Sequence, residues 1–584
     1  TLVATAASGQ NPKSWVNPPP DRDTWSPRVE NFSPPEEAPL VSFGADRSLD
    51  YKPYTDQGDR MIDFSYAGYK RSEVPIPTAP VAKTLSPPSG EVSPQGNMQY
   101  PVGPDSLETV QMAINEVAEL PANADGIRGA VLLEAGTWFF SRGLAVPDGV
   151  VLRGEGEGKS GTTLIFTIPS GDGVGIQTGS SGGMKEKSES VAAASFTAYR
   201  SQIADAYVPS GAMQLNVANP NGFKVGDLID VVKTTNDKWI EVLGVGERLR
   251  HIRGGKEGAF KRPWSPMTIA HPRAITAIEG NTISLDVPLV QSIEATHGGG
   301  FVEKRKPSGK AQNCGIENLN IVSNYDKTQK SRSKRANYSN LESAIGLGTV
   351  NSWVRDVTVR HVSFAAVKMS GAAYSTVRDV TALQPVGPKR GGKRYTYSIN
   401  QSVGMLVYNC FAEDGRHDYA VGARTEGPNV FLRSKALRGG QSEPHHRWGV
   451  GTLYDNIEME DGGSLAAINR GDSGSGHGWA AANTIFWNCD ANNIVVYDPE
   501  TTGENNFAIG FKGDPDGEHG TGGLHYANTR AGYWDTPQEG KYYGFQMMGN
   551  GYIESPTAPV KPDSLFEQQL IDRIGAAQAA VVLE

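Results

Sequence analysis

Between residues 129 and 154 the apolar side chains come in short runs, GAVLL, GTWFF and GVVLRG, separated by glycine and acidic turn residues, and the same rhythm returns after residue 310. Runs that short, bounded by turn formers, predict strands rather than helices. One helix precedes them. Pro104, Asp105 as N-cap and Glu108 form a capping box, followed by Leu107, Val110, Ile114 and Val117 at helical spacing. A second helix is predicted near the other end, where Ser564 and Glu567 precede Leu570, Ile571 and Ile574, and Gly575 follows. It would cover an exposed edge.

The strands repeat. The pattern apolar-x-Asn/Asp-apolar starts at Ile316, Val354, Val377, Val407 and Phe486, with looser copies at Phe431 and Tyr454. These starts fit a unit of about 23 residues with insertions, and a unit that small cannot bury an apolar face alone. Stacked copies must share one core, so the fold predicted is an all-β solenoid, a parallel β-helix. In it Asp356, Asp379 and Asn409 read as turn residues that tolerate left-handed geometry. Trp487 and Cys489, inside a repeat, read as core.

Residues 1–57 are rich in proline, serine and acidic residues and predict an extended arm. Residues 58–184 then hold the start of the β-helix with its capping helix, and 185–310 an inserted small β domain, whose AITAIEGNTISLDVPL alternates about a Glu-Gly-Asn turn. The main β-helix follows over 311–560 and the C-terminal helix over 561–584. The basic run 327–335 reads as a solvated loop. Loops 323–340 and 384–396, with the insertion, are expected to shape a groove.

Composition agrees and excludes some classes. The 69 glycines and 37 prolines demand many turns. A net charge of −9 speaks against a general nucleic-acid binder. Three cysteines, Cys314, Cys410 and Cys489, are too few for a disulfide scaffold and are expected as buried thiols. No apolar stretch approaches the roughly 18 residues that span a bilayer. The opening TLVATAASGQ lacks a basic-then-apolar signal, so the chain reads as a mature form or one made without a signal.

VLLEAGTWFFSRGLAVPDGVVLRGEGEGKSGTTL, preceded by the capped helix and by MIDFSYAGYK, resembles the opening of pectate-lyase-superfamily proteins. RHDYAVGAR, PHHRWGVGTLYDNI and SGHGWAAANTIFWNC resemble segments of uncharacterised bacterial members linked to polysaccharide breakdown. The resemblance implies a right-handed parallel β-helix acting on carbohydrate, secreted or periplasmic, working as a monomer on an anionic polysaccharide. It names no certain cofactor; calcium is the metal it admits, through oxygens such as those of Glu413 and Asp414.

Candidate chemistry gathers in one stretch. His417, His445, His446 and His477 lie close together, among Arg416, Asp418, Arg424, Arg447, Asn469 and Arg470, with Tyr419, Trp448, Tyr454 and Trp479 interleaved. Counted from the repeat's turn residue, His446-Arg447 and Asn469-Arg470 fall at equal offsets, so they should sit in register on adjacent coils. Such a patch suits β-elimination at a uronic acid, which needs a base and cations to offset enolate charge. The roles expected are His417 or His446 as base, and Tyr454 or His477 as acid. Arg416, Arg447 and Arg470 would bind carboxylates, oriented by Asn469. Asp418, Tyr419, Arg424, Trp448 and Trp479 complete the binding surface.

The rivals are three. A glycoside hydrolase would need paired carboxylates, for which Asp414, Asp418, Asp455, Glu458 and Asp472 are available. A non-catalytic carbohydrate-binding β-helix needs none, and a uronate epimerase shares the proton abstraction.

Overall fold

The computed structural model describes residues 39–168, 173–179, 199–246, 250–253, 256–259, 263–306, 309–330, 338, 340–470, 476–499, 503–514, 551–556 and 558–584. Most of them form a right-handed parallel β-helix, in which 26 strands join one pairing network. Each full coil contributes three short strands. In one coil these are Leu406–Tyr408, Phe411–Glu413 and Tyr419–Val421; in the next, Glu426–Leu432, Lys435–Leu437 and Gln441–Pro444. Their pairing is parallel and in register, for instance Val407 on Phe431 and Ala420 on Glu443.

The repeat's polar position makes the corner. Asn318, Asp356, Asp379, Asn409, Arg433, Asn456 and Asn488 all have φ between 43° and 58°. Asn and Asp visit this left-handed region at low cost, and each such residue turns the chain from one sheet into the next. The apolar position before each corner points inward. Val407, Phe431, Tyr454 and Phe486 are fully buried in the central core, and Phe431 and Tyr454 stack at 5.0 Å.

The alternate positions face outward, yet they too are covered. Val430, Leu432, Leu453, Ile485 and Trp487 belong to a second cluster with Leu565, Phe566 and Leu570 of the C-terminal helix Leu565–Ile574. Ser564 caps that helix as predicted, accepting from the Glu567 amide. The helix lies against the outer face of the sheet rather than over an edge, and a second helix, Ala576–Leu583, follows Gly575. The N-terminal helix Leu107–Ala118 buries Val110, Ile114 and Val117 on the opening strands. Its N-cap is Ser106 rather than Asp105, whose carboxylate instead accepts from the Leu107 amide at 3.1 Å.

Of the arm read over 1–57, the described part forms a hairpin of Val41–Phe43 and Leu49–Tyr51, tied to the C-terminal helix by Leu49 N–H on Asp572. Of the insertion read over 185–310, the described residues build a six-stranded antiparallel sheet with its own core around Leu215, Ile229, Val231, Ile275 and Ile283. Its Glu-Gly-Asn turn joins the paired strands Thr268–Glu279 and Thr282–Leu285. All three cysteines are buried free thiols. Part of the basic run 327–335, from 331 on, lies outside the described residues, as does Asp472. No helix among the described residues is long and apolar enough to cross a membrane.

Candidate active site

Strand Gln441–Pro444 carries a carboxylate into the middle of the histidine group. Glu443 pairs through its backbone with Ala420 on the preceding coil and is wholly buried. Its Oε1 lies 2.6 Å from His445 Nδ1, 2.5 Å from Arg470 Nη1 and 3.3 Å from His417 Nδ1. Arg470 arrives from the following coil. The pairing of Gln441 with Ser464 and Ser442 with Leu465, continued along the chain, puts His446-Arg447 beside Asn469-Arg470, and the Arg470 guanidinium reaches the His445 carbonyl at 2.7 Å. His477 closes the group, its carbonyl accepting from the Arg447 amide at 2.9 Å.

The four imidazoles gather around His445. His445 lies 4.5 Å from His417, 5.3 Å from His446 and 5.0 Å from His477 between ring centres. Tyr395, at the end of the 384–396 loop, completes the arrangement. Its hydroxyl stands 3.0 Å from His445 Nε2 and accepts from Arg416 Nη1 at 3.1 Å, while its ring stacks on Phe364. Tyr395, His446 and Arg447 are only half-buried, so the group opens to solvent on their side. A hydroxyl, an imidazole and a carboxylate thus stand in a row, the hydroxyl outermost.

Burial sets the charge states. It pushes the Glu443 carboxyl up to about 8, against the pull of the Arg470 and Arg416 guanidiniums. It pushes His445 well below the usual imidazole range, helped by Arg470, and His446 down to about 4, helped by Arg470 and Arg447. His477 falls for the same reasons. His445 is therefore a neutral imidazole near neutral pH. Its Nδ1 lies 2.6 Å from both Glu443 Oε1 and the Arg470 Nη1 donor, and in the tautomer whose Nδ1–H donates to ionised Glu443 the Nε2 lone pair faces the Tyr395 hydroxyl. Three buried atoms of the group, Glu443 Oε2, His446 Nδ1 and His477 Nδ1, have no hydrogen-bond partner among the described residues.

Several residues expected to act here lie elsewhere or are tied up within the protein. Tyr454 is sealed in the central core with its hydroxyl on the Tyr419 carbonyl at 3.1 Å. Tyr419 is core as well, stacked on Tyr397 at 5.6 Å and donating to the Lys435 and Cys410 carbonyls. Neither reaches a ligand. Trp448 and Trp479 point outward but are fully buried under the inserted domain, donating to Gln291 and to the Leu243 carbonyl. Asp418 is buried behind the group, accepting from Thr396 at 2.8 Å, and burial pushes it up to about 6. Arg424 is exposed on the turn beside Arg447 and lines a different groove. His417 is committed through Nδ1 to the Gln441 carbonyl at 2.6 Å, and Asn469 bridges Trp479 through its backbone.

Sequence reasoning passed over Tyr395 and Glu443, and gave His445 no role. Glu443 had a local signal, a lone carboxylate two residues before the paired histidines. Tyr395 had none beyond its place one coil ahead of His417.

The donor set does not fit calcium, which takes six to eight oxygens. His417, Glu443 and His445 could converge on an ion, but the Arg470 guanidinium already stands against both Glu443 and His445. Glu413 and Asp414 are held by cations of the protein, Arg438 for the first and Arg394 and Lys389 for the second.

No family model matches the chain, and no curated protein does. Among solved structures it is similar to tailspike gp61 of Pseudomonas phage phi297, with 12% identity and a TM-score of 0.36 over 69% of this chain and 55% of that one. Tailspike gp49 of Pseudomonas phage LKA1 gives 12% identity and 0.35 over 69% and 62%. The A-module of the Azotobacter vinelandii mannuronan C-5 epimerase AlgE6 gives 12% and 0.31 over 70% and 82%. The chain thus spans less than two thirds of either tailspike's length, and at these identities the likeness concerns the fold alone. It stops short of the pectate-lyase superfamily.

Proposed function

We propose that this β-helix binds an anionic polysaccharide and cleaves it by β-elimination at a uronic acid, with Tyr395 as the group that moves the proton. The observation that carries the reading is the row Tyr395 Oη, His445 Nε2 and His445 Nδ1, Glu443 Oε1, with spacings of 3.0 and 2.6 Å. As Tyr395 gives its proton to His445, its oxygen takes the proton next to the sugar carboxylate. The C–H electron pair forms the new double bond, and the glycosidic C–O bond breaks. Tyr395 then returns a proton to the leaving oxygen and recovers its own from His445. Arg416, on the Tyr395 hydroxyl, stabilises the phenolate that forms between these transfers. Half-buried His446 and Arg447 stand at the open side of the group, where a uronate carboxylate would enter.

A hydrolase would need two carboxyl groups across the bond. Among the described residues Glu443 is alone in the group. Asp414 is held by Arg394 and Lys389, Asp455 by the C-terminal helix and Glu458 by Lys435. Wild-type protein incubated with a panel of uronate polymers should release ultraviolet-absorbing unsaturated ends. Tyr395→Phe should lower that rate roughly 10²–10⁴-fold, the usual contribution of a positioned acid–base group. Tyr454→Phe should leave it unchanged. New reducing ends without the chromophore, or solvent proton exchange without cleavage, would replace this reading by hydrolysis or epimerisation.

A further inference from the structure

A second groove runs between the inserted domain and the β-helix turns, and its chemistry is independent of the histidine group. It encloses about 690 Å³. One wall is the segment around Arg71, a second the insertion with Arg305 and Lys310, and the floor the successive turns at Asn351, Ala373, Gln401 and Arg424. The floor residues Val350, Ala373 and Val403 are themselves joined by parallel bridges, so the groove follows the helix axis.

Its charge is unbalanced. The three carboxylates on its lining are each matched within the protein: Glu426 by Arg273 and His271, Asp286 by Arg71, and Glu73 by Arg573. The cations are in excess. The exposed Arg424 guanidinium has no partner among the described residues, Lys310 donates among them only to the Gly371 carbonyl, and half-exposed Arg305 keeps a loose pair with Asp230 at 3.8 Å. Burial and the nearby Arg305 charge push Lys310 below the usual lysine range, as expected where cations crowd without counter-charge. Between them the Asn351 and Gln401 side-chain amides, without partners among the described residues, offer donors and acceptors of the kind hydroxyl groups need.

From this arrangement we infer that the groove is a second carbohydrate site, which holds a carboxylated oligosaccharide with its acid groups on Arg424, Lys310 and Arg305 and its hydroxyls on Asn351 and Gln401. A single-stranded nucleic acid would call for bare aromatic faces on which bases stack. The one tyrosine on the lining, Tyr374, is covered by the Arg71 guanidinium at 4.9 Å from its ring centre. The site needs no β-elimination at Tyr395, so it stands or falls separately from that chemistry.

The test is calorimetric titration of the Tyr395→Phe protein, in which turnover should be slowed, with oligogalacturonates of defined length. Neutral dextran and a single-stranded oligonucleotide serve as comparison ligands. Oligogalacturonate binding should weaken as salt rises, and dextran should not bind. Arg424→Glu combined with Lys310→Glu should lower affinity about tenfold or more, equivalent to ~1.4 kcal/mol. Gln401→Ala, which removes no charge, should weaken the sugar but leave inorganic sulfate unaffected. Unchanged affinity in the charge-reversed protein with an unchanged melting curve would overturn the assignment. So would an oligonucleotide that competes as tightly as the sugar.

Discussion

The behaviour of one carboxyl group governs the proposed chemistry. Ionised Glu443 accepts from His445 Nδ1–H and so leaves Nε2 to take the Tyr395 proton. Protonated Glu443 would donate to Nδ1 instead, forcing the other tautomer, whose Nε2–H cannot accept. Burial holds this carboxyl up at about 8, and it holds His445 well below the usual imidazole range, so the resting imidazole is neutral. Activity should therefore rise about tenfold per pH unit toward pH ~8 and level off above it, with no falling limb from His445 on the acid side. Glu443→Gln should be slow and lack that ascending limb. A profile of kcat/KM that is flat below neutrality, or one with its ascending limb near the ordinary carboxylate range, would remove Glu443 from this role.

At the scale of single elements, the repeat was legible because a corner needs a residue that tolerates positive φ, and Asn or Asp marks six of the seven exact and looser copies, Arg433 being the exception. The same alignment already placed Tyr454 at the position of Val407 and Phe431, which is inward; its neighbourhood of His and Arg obscured that. Tyr419 was harder, because the turn at Asp418 breaks the alternation between outward His417 and the strand. Hydrophobicity on the outer face carried no hint of what covers it, since coverage comes from chain remote in sequence, as where Trp487 Nε1 donates to the Pro562 carbonyl. Asp455 shows how that cover is secured. Its buried carboxylate accepts from Ser564 Oγ at 2.7 Å and from the Phe566 amide at 2.8 Å, holding the N-terminus of Leu565–Ile574 on the sheet. Asp455→Ala should cost about 1–3 kcal/mol, the scale for leaving buried donors unmet. Hydrogen exchange should quicken in this helix and not in the strands beneath it. No change in exchange would mean the helix is held by apolar contact alone.

The whole molecule depends on a joint that periodicity could not reveal. The inserted domain sends Trp239 edge-on against Trp448 at 4.9 Å and places Trp264 beside it. Trp448 Nε1 donates to Gln291, Gln291 contacts His271, and His271 meets Glu426 on the β-helix. Trp448 directly follows Arg447, and its amide bonds the Trp479 carbonyl at 2.7 Å, so the joint also fixes the turn that carries His446 and the strand after His477. Trp448→Ala would open a cavity worth roughly 3–5 kcal/mol and leave the Gln291 carbonyl without its donor. Because the inserted sheet has a core of its own, it should stay folded and loosen from the β-helix. Exchange should rise at 237–243 and 478–480 while the insertion's central strands stay protected. KM should rise with kcat falling less than in Tyr395→Phe, since Tyr395 and Glu443 stand ahead of the 445–448 turn that Trp448 ends. Equal loss of kcat in the two variants would show instead that the insertion is part of the proton-transfer machinery.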